Sequence, residues 1–395
     1  KLEYPELDKL LDFDPAEEAL RWSKTDLQQL VKPYWPEDHH IRSSRYVVYL
    51  NEELPELAAE CNTWSATYDQ TLVLNLDGEV LASFDQTRHV NIDTLIHCKI
   101  FNPDPLTVLG QSYGGIYKDL NDVNSTWMDP AYSLANIPAT YSTGTSTFYL
   151  ENPLVKMDDL EAPVAAVATA LTPDFYFDRS QTGFEDVNVF YHISNFHQYI
   201  DALGYGSLMN LQLTADAHAQ FGADNSVFNR NGGSPTILFG TGGVDDGEDA
   251  DVIIHEYSHG LSWSANNNSS FSNERSGLDE GLADYFATSY SRNLSNFHWD
   301  SVFTWDGHNE YWPGRTASTT NMYPTTGSIY KTGEIWNAAM SGIWSDIGAI
   351  ETDNLMLEAL HFFTDQTTLP EAAIYILQAD TARYGVVHTT AICNR

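Results

Sequence analysis

Asp251-Val252-Ile253-Ile254-His255-Glu256-Tyr257-Ser258-His259-Gly260 decides how this chain is read. The apolar run before His255 supplies a helix face, and the next five residues make an H-E-x-x-H pattern. Twenty-five residues after His255 comes Glu280-Gly281-Leu282-Ala283-Asp284, in a second apolar, helix-forming run. Residues four apart on a helix project from one face. The imidazoles of His255 and His259 can therefore share one zinc ion, and Glu256 points at that ion without ligating it. A third ligand has to come from elsewhere, and Glu280 has the chemistry for it. A chain with 13 histidines carries such a pattern by chance about once in a few tens of cases. The apolar lead-in and the downstream carboxylates weigh against that plainer reading.

Composition narrows the class. At 395 residues with 42% hydrophobic content, the chain can bury large cores and is expected to hold two or three domains. No apolar run approaches the length of a membrane span, so a soluble chain is expected. It begins at Lys1 with no visible signal peptide, which fits a processed or trimmed chain. There are 55 acidic against 19 basic residues, a net charge of −36, and a nucleic-acid binder needs the opposite balance. The plain reading of that charge is a solvated acidic surface. The sharper readings are a saline habitat or bound calcium, since hard cations take carboxylate oxygens. Of three cysteines, Cys61 and Cys98 can form one bridge in an exported protein, and Cys393 stands near the end.

Along the chain, residues 1–35 are acidic with helical spacing, and residues 44–85 read as strands with a hairpin around Asp77-Gly78. Residues 95–170 are rich in turn residues and aromatics and suggest irregular β structure. A long helix is expected from Glu185 to Leu203, strands again over 207–242, and then helices at about 247–264, 277–291, 331–348, 352–365, 370–382 and 386–393. β-rich first and helical later, with the histidine motif at the junction, is an α+β order. It puts the metal in a cleft between a β-rich upper lobe and a helical lower lobe.

At this point the residues resemble a family. Residues 98–395 look like a thermolysin-type zinc endopeptidase, closest to the fungalysin branch and its bacterial relatives. The resemblance rests on Gly240-Thr241-Gly242-Gly243-Val244-Asp245-Asp246-Gly247-Glu248-Asp249-Ala250-Asp251-Val252 running into His255, and on Phe101-Asn102-Pro103-Asp104-Pro105-Leu106-Thr107. Thr332-Gly333-Glu334-Ile335-Trp336 and Ile376-Leu377-Gln378-Ala379-Asp380 fit later helices of the same pattern. It implies a two-lobed catalytic domain, with lobes at 96–254 and 255–395, preceded by a smaller α+β region at 1–95. It also implies His255, His259 and Glu280 as zinc ligands, Glu256 as general base, and Asp284 as the carboxylate behind His255. Asn225 and Ser226 would begin a substrate-binding edge strand, and Arg315 would grip a substrate carbonyl. Asp251 is either a helix cap or a calcium ligand.

The chain departs from the family in two places. Where relatives carry an oxyanion-steadying histidine it has Tyr330-Lys331, so Tyr330 becomes the candidate donor. Phe271 stands where thermolysin carries a tyrosine. The resulting expectation is a secreted zinc endopeptidase acting on proteins or peptides. Its alternatives are an aminopeptidase on the same zinc plan, or a latent, catalytically weak relative with a structural or adhesive role at the cell surface. The segment Leu74-Asn75-Leu76-Asp77-Gly78-Glu79-Val80-Leu81 resembles the closing hairpin of a pro-domain, so residues 1–95 read either as a retained pro-region or as a permanent accessory domain.

Overall fold

The computed structural model describes residues 29, 40–50, 55–64, 69–75, 77–85, 91–230, 234–266, 271–325 and 327–395. Apart from Gln29, the helical expectation for residues 1–35 lies outside these residues, as does Leu76 of the expected hairpin. The chain divides into two compact units, with the second beginning at Asn91. Among the described residues no helix is long and apolar enough to cross a membrane.

The first unit is an antiparallel meander of β1 (His40–Leu50), β2 (Pro55–Trp64), β3 (Asp69–Asn75) and β4 (Val80–Asp85), in that order across the sheet. Asp77-Gly78 makes the expected turn between β3 and β4. The Asn75 side-chain oxygen accepts the N–H groups of Asp77 and Glu79, and Gly78 takes a φ of 91° that a side chain would resist. Ile41, Ala59, Cys61, Leu72 and Leu74 form its core.

The second unit is α+β. Its strands are β5 (Asn91–Phe101), β6 (Tyr132–Ser142), β7 (Thr147–Tyr149), β8 (Val155–Met157), β9 (Thr169–Ala170), β10 (Asp174–Phe175), β11 (Leu213–Ala219), β12 (Val227–Asn229), β13 (Thr236–Gly240), β14 (Ser301–Val302) and β15 (Arg315–Thr316). Its helices are α1 (Pro105–Leu109), α2 (Gly183–Ala202), α3 (Ala250–Asn266), α4 (Asn273–Leu294), α5 (Ile329–Ile347), α6 (Ala349–Leu360), α7 (Leu369–Tyr384) and α8 (Thr389–Cys393). One sheet runs β10-β5-β6-β7-β9, a second β12-β13-β11-β8, and β14 pairs with β15. Helix α2 packs against β5, β8, β11 and α3, so one continuous apolar core joins both sheets to the helices. Helix α3, with the H-E-x-x-H pattern, is buried on most of its surface between α2 and α4.

Two close approaches fix the helices around it. Gly281 on α4 faces Gly333 on α5 so tightly that a Cβ on Gly281 would lie 2.4 Å from the Gly333 carbonyl oxygen, and Gly277 meets Thr332 in the same way. Two glycines one turn apart let the α4 and α5 backbones touch. The start of α5, with Tyr330, is thereby brought beside Glu280. Helix α7 starts at a Thr368/Glu371 capping box with Pro370 in its first turn, and ends at Gly385 in the left-handed conformation.

The structure corrects two expectations. Residues 95–170 are not uniformly irregular, because β5 and β6 form an antiparallel pair eleven residues long. Pro138 lies inside β6, and proline ordinarily argues against a strand. Its carbonyl accepts from the Asn152 side chain, so its backbone polar positions face away from β5 and no ladder bond is lost. The cysteines are free thiols rather than a Cys61–Cys98 bridge. Cys61 lies in the core of the first unit and Cys98 in that of the second, and burial pushes their thiols up to about 11 and about 12.

Acidic groups just ahead of α3 are also deeply buried. The fully buried Arg179 guanidinium grips Glu248 through Nε at 2.8 Å and Nη2 at 2.7 Å, and reaches Asp119 Oδ1 at 2.5 Å. Trp305 Nε1 donates to Glu248 as well, at 2.9 Å. Arg179→Ala leaves two buried carboxylates without their cation and should cost about 3–5 kcal/mol in urea unfolding. A loss below about 1 kcal/mol would show that Arg179 is not what neutralises them.

Candidate metal centre

Helix geometry sets His255 and His259 side by side on α3, with their Nε2 atoms 3.1 Å apart. Helix α4 crosses below and presents Glu280. Its Oε2 lies 3.5 Å from His255 Nε2, and its Oε1 lies 4.0 Å from His259 Nε2. Each ring is backed by a carboxylate on its far side. Asp279 Oδ2 is 2.7 Å from His259 Nδ1, and Asp284 Oδ1 is 2.9 Å from His255 Nδ1, the latter off the ideal hydrogen-bond direction. A carboxylate can only accept, so the proton of each neutral ring belongs on Nδ1 and the lone pair on Nε2. Two lone pairs then face each other beside a carboxylate oxygen, an arrangement that calls for a cation. Tetrahedral zinc about 2.0–2.1 Å from its nitrogen ligands separates them by about 3.3 Å, and the present spacing fits that.

Electrostatics favours positive charge at this point. Burial alone pulls the His259 pKa down. The hydrogen bond and charge of Asp279, with the charges of Glu280 and Glu256, outweigh it and lift the metal-free value to about 10. Burial pushes the Asp279 carboxyl up, but the bond to His259 and the charges of His259 and Arg275 hold it well below the usual range. Asp284 is likewise held low, because the Arg315 charge and the His255 contact outweigh its burial. The same carboxylates that would keep a proton on the imidazoles would keep a metal cation there.

Around this centre opens a cleft of about 1060 Å³. Glu256 lies on its wall, only 7% exposed. Asn225 and Ser226 line it just ahead of β12, an edge strand that pairs with β13 alone among the described residues. The Ser226 hydroxyl donates to Asp246. Arg315, on β15, donates through Nη1 to Glu280 at 3.0 Å and to Asp284 at 2.8 Å, and its guanidinium stacks over the Tyr330 ring at 4.5 Å. Tyr330 itself is half exposed at the mouth of the cleft. Phe271 lines the cleft too, over the Arg275 guanidinium.

Asp251 is removed from this group. Its two oxygens accept from the Ser291 hydroxyl and from the Phe303 N–H, so it stitches α3 to α4 and to the segment after β14. Neither three-membered cluster of metal-ligating side chains among the described residues includes it. Sequence reasoning missed Asp279 and its supports, Ser262 and Arg275, which both donate to Asp279 Oδ1. The one signal was its adjacency to Glu280, which puts it about 100° round the same helix.

No protein-family profile matches the chain. Over 242 residues it is 25% identical to the extracellular metalloproteinase MEP of Fusarium vanettenii, covering 52% of this chain and 37% of that protein. The chain thus spans well under half the length of this curated relative. Among solved structures, the precursor of protealysin, a metalloproteinase from Serratia proteamaculans, aligns with a TM-score of 0.44 at 14% identity, over 53% of this chain and 76% of that one. The sequence likeness supports the distant relation to thermolysin-like metalloproteinases of the fungalysin kind that the motifs suggest.

Removing a carboxylate behind a ligating imidazole commonly costs 10–100-fold in metal affinity. Asp279→Ala should weaken zinc binding by about that factor in a chelator competition. Affinity within about twofold of the parent would show that Asp279 does not support the metal.

Proposed function

We propose that the chain is a zinc-dependent endopeptidase that hydrolyses protein or peptide substrates outside the cell. The observation that carries this reading is the pair of imidazoles with Nε2 atoms 3.1 Å apart, each backed by a carboxylate, beside Glu280 in an open cleft. The distant likeness to an extracellular metalloproteinase supports both the activity and the location.

His255 and His259 would hold the metal through Nε2, and Glu280 through its carboxylate. Zinc, when bound, supplies Lewis acidity and brings the pKa of water down toward about 7. Glu256 takes a proton from the attacking water on its carboxylate and returns it to the leaving amine nitrogen. An extended peptide adds to the free edge of β12 near Asn225 and Ser226, through backbone hydrogen bonds that read no side chain. Arg315 and Tyr330 also line the cleft and serve as donors toward the carbonyl oxygen. Arg315 already bonds two carboxylates, so a substrate oxygen would be its third partner. That leaves Tyr330 as the freer donor. The region up to about residue 95 is proposed as a pro-region or accessory domain of this peptidase.

Glu256→Gln should keep about one zinc per chain and lower peptide hydrolysis by about 10²–10⁴, since an amide takes no proton from water. An unchanged rate would contradict Glu256 as the base. Tyr330→Phe should cut turnover by about 10²–10³ with zinc content unchanged, the usual loss for one oxyanion donor. A rate equal to the parent's would assign that donation elsewhere.

A further inference from the structure

A second group of acids lines the same cleft, apart from the histidine centre. Asp224, Asp246 and Asp306 bring three carboxylate oxygens within 4.8 Å of one another, and share no residue with the histidine centre. Asp224 lies just before β12, Asp246 in the turn ahead of α3, and Asp306 in the segment after β14. The segment is held there by its backbone, since the N–H groups of Trp305 and Asp306 both donate to Asp249 Oδ2.

Three neighbouring buried acids are answered by donors. Glu248 has Arg179 and Trp305. Asp249 has the N–H groups of Asp251, Trp305 and Asp306. Asp251 has Ser291 and Phe303. Asp246 and Asp306 differ from these. They are 2% and 5% exposed, and each has a buried Oδ1 with no hydrogen-bond partner. Ser226 serves only the other oxygen of Asp246. Among the described residues no lysine, arginine or histidine pairs with either carboxylate. Buried, unpaired carboxylates are costly unless a cation or a proton joins them.

We propose that Asp224, Asp246 and Asp306 form a binding site for a hard divalent cation of the calcium class. Such cations gather six to eight oxygens at about 2.3–2.6 Å, so oxygens in one shell lie roughly 3.3–5 Å apart, as these three do. The open cleft lets water complete the shell. Bound there, the cation ties together the approach to edge strand β12, the turn that launches the histidine helix, and the segment leading to Arg315. It therefore fixes the substrate-binding edge relative to His255 without touching the zinc ligands. The proposal stands on these carboxylates alone and does not depend on the peptidase reading.

The test uses the full chain loaded with zinc, and its Asp306→Asn variant, which keeps the shape and removes a charge. Thermal unfolding is followed with and without millimolar calcium, and zinc content is measured in the same samples. Terbium(III) luminescence serves as the site probe, since Tyr311 and Asp224 both border Gly243 and an aromatic ring can sensitise a lanthanide nearby. Calcium should raise the melting temperature of the parent by at least about 3 °C and displace terbium. Without calcium, Asp306→Asn should unfold no earlier than the parent, because a like charge is gone. With calcium it should gain little, and its calcium affinity should fall about tenfold or more. Zinc content should be equal in both, so loss of this site is read separately from loss of the histidine centre. Equal calcium shifts in parent and variant, or no shift in the parent, would overturn the proposal and leave the acids neutralised by protons.

Discussion

A helix buried on most of its surface carries the two histidines, so its buried polar groups need hydrogen-bond partners, most of them from neighbouring elements. That constraint organises the second unit. Helix α4 supplies Asp279 and Asp284 to the rings and Ser291 to Asp251. The segment after β14 supplies backbone donors to Asp249 and Asp251. Helix α2 supplies His197, whose ring meets the hydroxyl of Tyr257 at 2.6 Å. Each partner has to sit within hydrogen-bond reach, so the surrounding elements have little freedom to shift without leaving a buried group unpaired.

Close helix packing does the complementary work. The Gly281–Gly333 contact lets α4 and α5 approach until their backbones touch, which brings the start of α5 against Glu280. Larger side chains at either glycine would push α5 outward and take Tyr330 with it. Arg315 then fills the corner between them, bonded to two acids and stacked on the Tyr330 ring. Glu280, the carboxylates behind the rings and Tyr330 are thus positioned by packed helices, which is how sites of fixed geometry are usually built.

What was legible in the sequence was local. The four-residue spacing of His255 and His259 is a property of any helix, and Glu280 and Asp284 repeat it on a second one, so the convergence of these groups could be anticipated. The helix order after residue 246 emerged with ends shifted by a few residues, because caps and apolar periodicity are local too. Non-local features were not legible. The β5–β6 pair joins segments thirty residues apart, and Pro138 argues against it until Asn152 is known to take its carbonyl. Asp279 contacts His259 only because of how α3 and α4 cross. The Asp224–Asp246–Asp306 group gathers from three segments with no spacing in common. The donors that meet Asp251, Ser291 on α4 and the Phe303 N–H, likewise come from distant segments that its position in the sequence does not announce.

The central claim is that these residues form one zinc centre of two imidazoles and a carboxylate. X-ray absorption at the zinc edge, on the full chain purified with stoichiometric metal, tests it most directly. It should show two histidine nitrogens at about 2.0–2.1 Å with low-Z oxygen ligands at about 2.0–2.2 Å and no sulfur. A shell containing thiolate sulfur, a shell of oxygens alone, or failure to retain about one zinc per chain would contradict it.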